Sequence, residues 1–209
     1  MKNTKSNILS TSKHLFNQQG YSNVTIRMIA LELKISSGNL NYHFKKREDI
    51  LEALYFEMVE AFDARVKQLG DKQITLETVK EDILLSLNRM VEYRFFWTDL
   101  YNLLRLNKKI KSHFQNVYHN RLKGYEYLFD VLIEKNLMRD FEFSKESQFL
   151  IERMISYSNT WLYNSFIYNK SINEDYIELQ STNLLVMLYP YLTNRGKHQY
   201  QKLLPNYFE

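Results

Sequence analysis

The sequence predicts an all-α protein, and three observations carry that prediction. Glycine and proline are scarce, with five Gly and two Pro in 209 residues and no Gly between Gly124 and Gly196, so long helices are expected and turn-rich β architecture is not. The stretch from Thr25 to Arg47 reads as two short helices joined by a tight connection. From Lys46 onward, apolar residues recur at helical spacing with hardly a break.

Thr25 is a good helix N-cap, and Ile26, Ile29, Ala30 and Leu33 follow on one face. Ala30 is small enough for two helices to cross closely. Ile35 supplies an apolar side chain in the connection, and Ser36 or Ser37 caps the next helix, where Leu40 and Phe44 point inward. The remaining residues of that helix, Ser37, Gly38, Asn39, Asn41, Tyr42 and His43, are polar, small or amphipathic, and Lys45, Lys46 and Arg47 follow at once. Two apolar anchors make poor core material, but the other side chains suit base edges and phosphates. The layout is that of a helix-turn-helix whose second helix lies in a DNA major groove. On helical pattern alone, a hairpin with a solvated outer face fits as well.

Charge divides the chain unevenly. Residues 1–47 hold eight Lys/Arg against the single acid Glu32, a charge of +7, while residues 48–209 hold twenty bases and twenty-three acids, −3, which together give the overall +4. A basic head on a mildly acidic body suits a protein that presents one end to DNA. There are no cysteines, which excludes disulfides, thiolate metal sites and a cysteine nucleophile and fits a reducing cytoplasm. No signal-peptide run is present and no stretch approaches the ~20 apolar residues of a membrane span. The expectation is a soluble, cytoplasmic chain with no membrane segment.

A fourth helix is expected over 46–69, roughly 36 Å long at ~1.5 Å per residue, with Leu51, Tyr55, Met58, Phe62, Val66 and Leu69 on one stripe and Gly70 as its stop. It connects a helix-turn-helix DNA-binding domain, residues 1–47, with a second helical domain, residues 48–209. Helices are expected next over about 75–94, 97–106 and 108–136. The segment DFEFS at 140–144 reads as a turn, with Ser144 capping a helix over 145–169. The last helix spans 174–193, kinked or ended by Pro190, and the tail from Arg195 is expected to be peripheral.

The helices over 145–169 and 174–193 each carry more than one apolar stripe. Ile151, Ile155 and Leu162 run along one side of the first, with Leu150, Met154, Tyr157 and Trp161 along another; Leu184 and Leu188 lie on a face of the second. A surface helix needs only one buried stripe, so the other wants a partner, either elsewhere in this chain or in a second copy.

The run from Ile8 to Leu54 resembles the DNA-binding domain of the TetR family of bacterial repressors. The matching pieces are a first helix ending in FNQQGYSNVT, the IALEL helix, SSGNLNYHF as recognition helix, and KKREDIL opening a long fourth helix. Two departures stand out: Lys34 where the family often has Gly, and Asn41 where it usually has Tyr. Asn pairs well with adenine, so an altered operator preference is expected rather than lost binding. The resemblance implies a homodimeric repressor, released from a palindromic double-stranded operator by a largely apolar or aromatic small-molecule effector. It implies duplex contacts from Thr25, Arg27, Ser36, Ser37, Gly38, Asn39, Asn41, Tyr42, His43, Lys46 and Arg47. An effector pocket is implied among Phe62, Trp97, Tyr101, Tyr125, Phe129, Tyr157 and Trp161, although core packing explains most such rings. A dimer bundle is implied through Ile151, Ile155, Leu162, Leu184 and Leu188.

The rival classes are a helical enzyme and a protein-binding adaptor. His14, His43, His113, His119 and His198 show no metal-ligand spacing, and there is neither a phosphate-cradling Gly loop nor a nucleophile elbow. No catalytic residue, metal or cofactor is expected. Steep salt dependence would separate DNA binding from an adaptor.

Overall fold

The computed structural model describes residues 4–70 and 73–208, and the side chains of all of these but 65–70. Val66 and Leu69 of the expected stripe therefore lie outside the described side chains. Among the described residues there are eleven α-helices and no strand: α1 Thr4–Gln19, α2 Ile26–Glu32, α3 Ser37–His43, α4 Arg47–Gly70, α5 Leu76–Glu92, α6 Arg94–Thr98, α7 Leu100–Leu106, α8 Lys108–Glu134, α9 Glu146–Ile167, α10 Glu174–Val186 and α11 Asn194–Leu203. Two compact units form. The first combines Met1–Asp63 with Arg89–His113, and the second combines Ala64–Asn88 with Phe114–Glu209.

In the first unit, Ile8, Leu15 and Phe16 of α1, Ile29 and Ala30 of α2, Leu40 of α3 and Ile50, Leu51 and Leu54 of α4 are buried together with Phe95 and Phe96 of α6. Gly20 stops α1 by adopting φ 79°, a left-handed conformation that costs glycine nothing. Asn17 ties the end of α1 to the start of α6. Its amide donates to the Glu92 carbonyl at 2.9 Å, its side-chain oxygen accepts from the Phe95 N–H at 3.1 Å, and its own carbonyl accepts from Arg94 Nε at 3.1 Å. Lys13 lies 4.4 Å over the Tyr93 ring, and Tyr93 donates its hydroxyl proton to Glu57 at 2.6 Å. The expected helix over 97–106 is two helices, α6 and α7, with Asp99 between them at φ −126°, outside helical geometry.

In the second unit, Leu132 of α8, Leu150, Ile151, Met154, Ile155, Trp161 and Leu162 of α9, and Ile177, Leu184 and Leu185 of α10 are buried. Tyr157 of α9 donates to Gln180 of α10 at 2.6 Å, and Ser165 donates to Tyr176 at 3.0 Å, so these two pairs join the helices through hydrogen bonds. Burial pushes the Tyr157 hydroxyl up.

Three expectations at the end of the chain are corrected. Ser144 does not cap α9; the position before the helix is Lys145, without a capping side chain. The turn is instead organised by Glu146, whose carboxylate accepts from the Glu142 N–H at 2.6 Å and from both Nη atoms of Arg139 at 2.8 and 3.2 Å. Pro190 neither kinks nor stops α10, which ends at Val186; it sits in a separate 3-10 turn, Tyr189–Tyr191, near whose start its missing N–H leaves no bond unmade. The tail from Arg195 is not peripheral. It forms most of α11, with Thr193 as cap and with Gly196, Tyr200 and Leu204 buried. A Cβ on Gly196 would lie 2.0 Å from the Leu137 carbonyl oxygen, so α11 reaches the end of α8 only because that residue has no side chain. Beside it, Met138 pairs with Leu192 in an antiparallel bridge, flanked by hydrogen bonds from Arg139 N to Tyr191 O at 2.8 Å and Thr193 N to Leu137 O at 3.0 Å.

Candidate nucleic-acid interface

The helix pair α2–α3 is set by its caps. The Thr25 hydroxyl accepts from Met28 N at 3.3 Å, and the Ser36 hydroxyl accepts from Asn39 N at 3.1 Å, satisfying N–H groups that a helix start otherwise leaves open. Between the helices Lys34 adopts φ 56°. The chain thus keeps the left-handed turn that glycine would make easily, at a cost of about 1 kcal/mol for a residue with a Cβ. Leu33 N and Ile35 N donate to Ile29 O and Ala30 O at 3.1 and 3.0 Å, closing the turn.

Leu40 and Phe44 anchor α3, fully buried and nearly so, while Gly38, Asn39, Asn41 and Tyr42 are exposed, Tyr42 at 85 %. Ser37 and His43 are half-exposed; Thr25, Arg27 and Ser36 are exposed at the starts of the two helices. Nothing inside the protein requires glycine at position 38, because a Cβ there would meet only Ser36 Oγ, at 3.8 Å. Lys45 and Lys46 are exposed just before α4, whose first turn is closed by Asp49 accepting from Lys46 N at 3.1 Å.

Arg47 is used within the protein. Its Nη1 donates to the carbonyls of Tyr21, Ser22 and Val24 at 3.0, 3.2 and 2.8 Å, and its guanidinium stacks 4.2 Å over the Tyr21 ring. That geometry makes it the clamp between α4 and the 3-10 turn after α1. Burial raises the Tyr21 hydroxyl, with the Arg47 charge opposing.

The aromatic residues expected around an effector divide between the units. In the first, Trp97 is buried with its ring edge-on to Phe62 at 6.4 Å, whereas Tyr101 is 73 % exposed on α7 and lies against Arg105. In the second, Phe129 and Trp161 are buried, Tyr125 and Tyr157 are half-buried, and Tyr125 and Phe129 lie 6.2 Å apart.

The residues expected at a dimer interface lie inside the chain. Ile151, Ile155, Leu162, Leu184 and Leu188 are all buried within the single chain, as are Leu150, Met154 and Trp161 of the other stripe of α9. The exposed stripe is a third one, Phe149, Arg153, Ser156, Thr160, Tyr163 and Ile167 on α9, and Leu179 and Val186 of α10 are exposed as well. Its spacing of four and three residues was readable, but Arg153, Ser156 and Thr160 dilute its apolar signal.

Residues 8–54 match the family described as bacterial regulatory proteins, tetR family, and residues 57–200 match the companion TetR family of bacterial transcriptional repressors. The chain belongs to the TetR family. Among curated TetR-like relatives, it is 30 % identical over 121 residues to the HTH-type transcriptional regulator QacR of Staphylococcus aureus, covering 53 % of this chain and 62 % of that protein. It is 23 % identical over 133 residues to the probable HTH-type transcriptional regulator YttP of Bacillus subtilis, covering 63 % of this chain and 64 % of that protein. The match thus spans less than two thirds of either relative's length. The TetR fold is shared with a TetR-family transcriptional regulator from Marinobacter aquaeolei VT8, at 24 % identity and TM-score 0.87 over 98 % of each chain. It is shared also with a regulator from Saccharomonospora viridis in complex with choline, at 20 % identity and TM-score 0.72 over 93 % of this chain and 100 % of that one. Among the described residues, no helix is long and apolar enough to cross a membrane.

Proposed function

We propose that this TetR-family chain is a cytoplasmic, DNA-binding transcriptional repressor that acts as a homodimer on a palindromic operator. The observation that carries the reading is the outer face of α3. A seven-residue helix exposes Gly38, Asn39, Asn41 and Tyr42 while two residues hold it down, and its glycine answers no demand from inside the protein. A duplex pressed against that face supplies the demand: glycine admits a phosphate or base edge where a Cβ would stand off. Asn39 and Asn41 offer the paired donor and acceptor that adenine matches in the major groove. Ser37, Gly38 and Arg27 stand near base edges; Thr25, Ser36, Tyr42, His43, Lys45 and Lys46 hold phosphates.

Two copies place two such helices on successive major grooves, ~34 Å apart. The exposed stripe of α9 and α10 is the surface proposed to join them, since that much apolar area is unusual on a monomer. The effector is a small, largely apolar molecule held in the second unit by Tyr125, Phe129, Tyr157 and Trp161, the half-buried tyrosines giving polar tips to an otherwise apolar lining. The choline of the Saccharomonospora viridis complex is the ligand of that protein.

Selection of bound sequences from a random duplex pool tests the reading. A palindromic consensus is expected, with affinity falling steeply between low and moderate salt. Asn39→Ala should change base preference at one position in each half-site by about 1–3 kcal/mol. A flat salt response, or a consensus unmoved by Asn39→Ala, would refute the assignment of α3.

A further inference from the structure

Arg121 stands in the middle of α8 with its guanidinium turned onto α9. Nη1 donates to Asn159 Oδ1 at 2.7 Å and Nη2 to Ser158 Oγ at 2.5 Å. Ser158 is only 7 % exposed, so the charged tip reaches buried ground although the side chain as a whole is half-exposed. Both acceptors are neutral, and no carboxylate of the described residues pairs with this arginine. The Ser158 hydroxyl is itself committed, donating to the Ile155 carbonyl at 3.0 Å.

This arrangement differs from that of Arg139 and resembles that of Arg153, which donates to the Tyr191 hydroxyl at 2.7 Å and the Phe149 carbonyl at 3.2 Å. Arg139 meets the carboxylate of Glu146 through two bonds. Arg121 has five N–H donors, two of them engaged, and a full positive charge that its surroundings orient without neutralising. Moving a cation towards buried ground costs free energy unless a counter-charge arrives, and a planar fork fixed by two neutral acceptors is preorganised for one. Four residues along the same helix face comes Tyr125, half-buried, and four further on Phe129, buried. Trp161, one turn along α9 from Ser158, is buried too.

We propose that Arg121 is the counter-charge for a carboxylate, so that the effector of this protein is an apolar organic acid and not a cation. Asn159 and Ser158 hold the guanidinium in place, the remaining N–H groups take the carboxylate, and the apolar body lies along the rings. This rests on the effector reading given above, but not on the DNA reading.

Matched pairs of probes test it: decanoate against decanol, and 1-naphthoate against 1-naphthamide. Each is titrated into the full chain and followed by the change in melting temperature and by tryptophan fluorescence. At least one acid is expected to bind saturably and at least tenfold tighter than its uncharged partner. Arg121→Gln should remove that preference, and Arg121→Lys, which keeps the charge, should restore part of it. Acids that bind no tighter than their neutral partners, or a preference that survives Arg121→Gln, would overturn the proposal. So would no saturable binding by either acid. Should Arg121→Gln fail to fold, Asn159→Ala serves in its place: by loosening the guanidinium it should weaken the acid more than the neutral partner, and equal weakening of both would count against the assignment. Operator binding by unliganded Arg121→Gln is measured in parallel. If it is lost in wild type and variant alike, the DNA reading fails while the acid preference is still decided.

Discussion

Arg47 illustrates how little a local pattern says about a side chain's partners within the fold. From the sequence it is a cation at the start of a helix next to two lysines, which reads as a phosphate contact. Within the protein its Nη1 meets three carbonyls more than twenty residues earlier in the chain, and no local pattern marks them. Arg47→Ala should act on folding, lowering the unfolding free energy by about 3 kcal/mol in urea titration, because three carbonyls, two of them part-buried, lose a charged donor. Lys46→Ala should leave stability unchanged and flatten the salt dependence of DNA binding. Glu146 was not singled out in the sequence at all. The Arg139 guanidinium, together with the Glu142 N–H, holds its carboxyl below the ordinary value of 4.5. A depressed folded-state pKa means that the carboxylate contributes stability above pH 4.5 and loses that contribution as the pH falls through the folded value. The gap in melting temperature between wild type and Glu146→Gln should accordingly be full at pH 6 and narrow steadily on acidification below 4.5; a gap that stays constant to pH 3 would rule out this ion pair as its source.

At the scale of elements, what is local proved legible. Thr25 and Ser36 cap the helices they precede because a cap acts on an N–H three residues away, and the left-handed turn follows α2 even with Lys34 in place of glycine. Leu40 and Phe44 were readable as anchors because a short helix between polar neighbours leaves few candidates. The stripes of α9 and α10 were readable as apolar but not as to what covers them, since periodicity reports that a face is buried and says nothing about the chain that buries it. The last helix was hidden for a related reason: YQKLL and its neighbours are largely polar, and the close approach of α11 to the Leu137 carbonyl, which only a glycine at position 196 permits, joins residues far apart in sequence. Gly196→Ala should displace α11 and cost about 2–4 kcal/mol in denaturant titration, with loss of the near-ultraviolet signal of Tyr200, whose hydroxyl burial pushes up to about 12. An alanine variant as stable as wild type would show that α11 can move away freely.

For the whole molecule, the decisive distinction is between apolar residues that hold one chain together and those left outside it. Ile155→Asp places an unpaired charge in the core and should unfold the second unit. Tyr163→Asp and Val186→Asp change residues that are 48 % and 45 % exposed, so the helical signal should survive while light scattering reports half the mass. Operator binding should fall with it, because a single head forfeits the second half-site. Retention of the dimer mass by both variants would move the interface to another surface.

A ribosome making this chain delivers Leu137 long before Leu192, and at about 5–20 residues per second the segment around Met138 waits roughly 3–11 s for the strand-like partner that completes its hydrogen bonds. The first unit has no such delay at its end, since every part of it has emerged once His113 is clear. Synthesis thus passes through a stage with a finished first unit and an open second one. Any pause in translation between residues 140 and 190 lengthens the time during which the apolar faces of α8 and α9 are presented to neighbouring nascent chains.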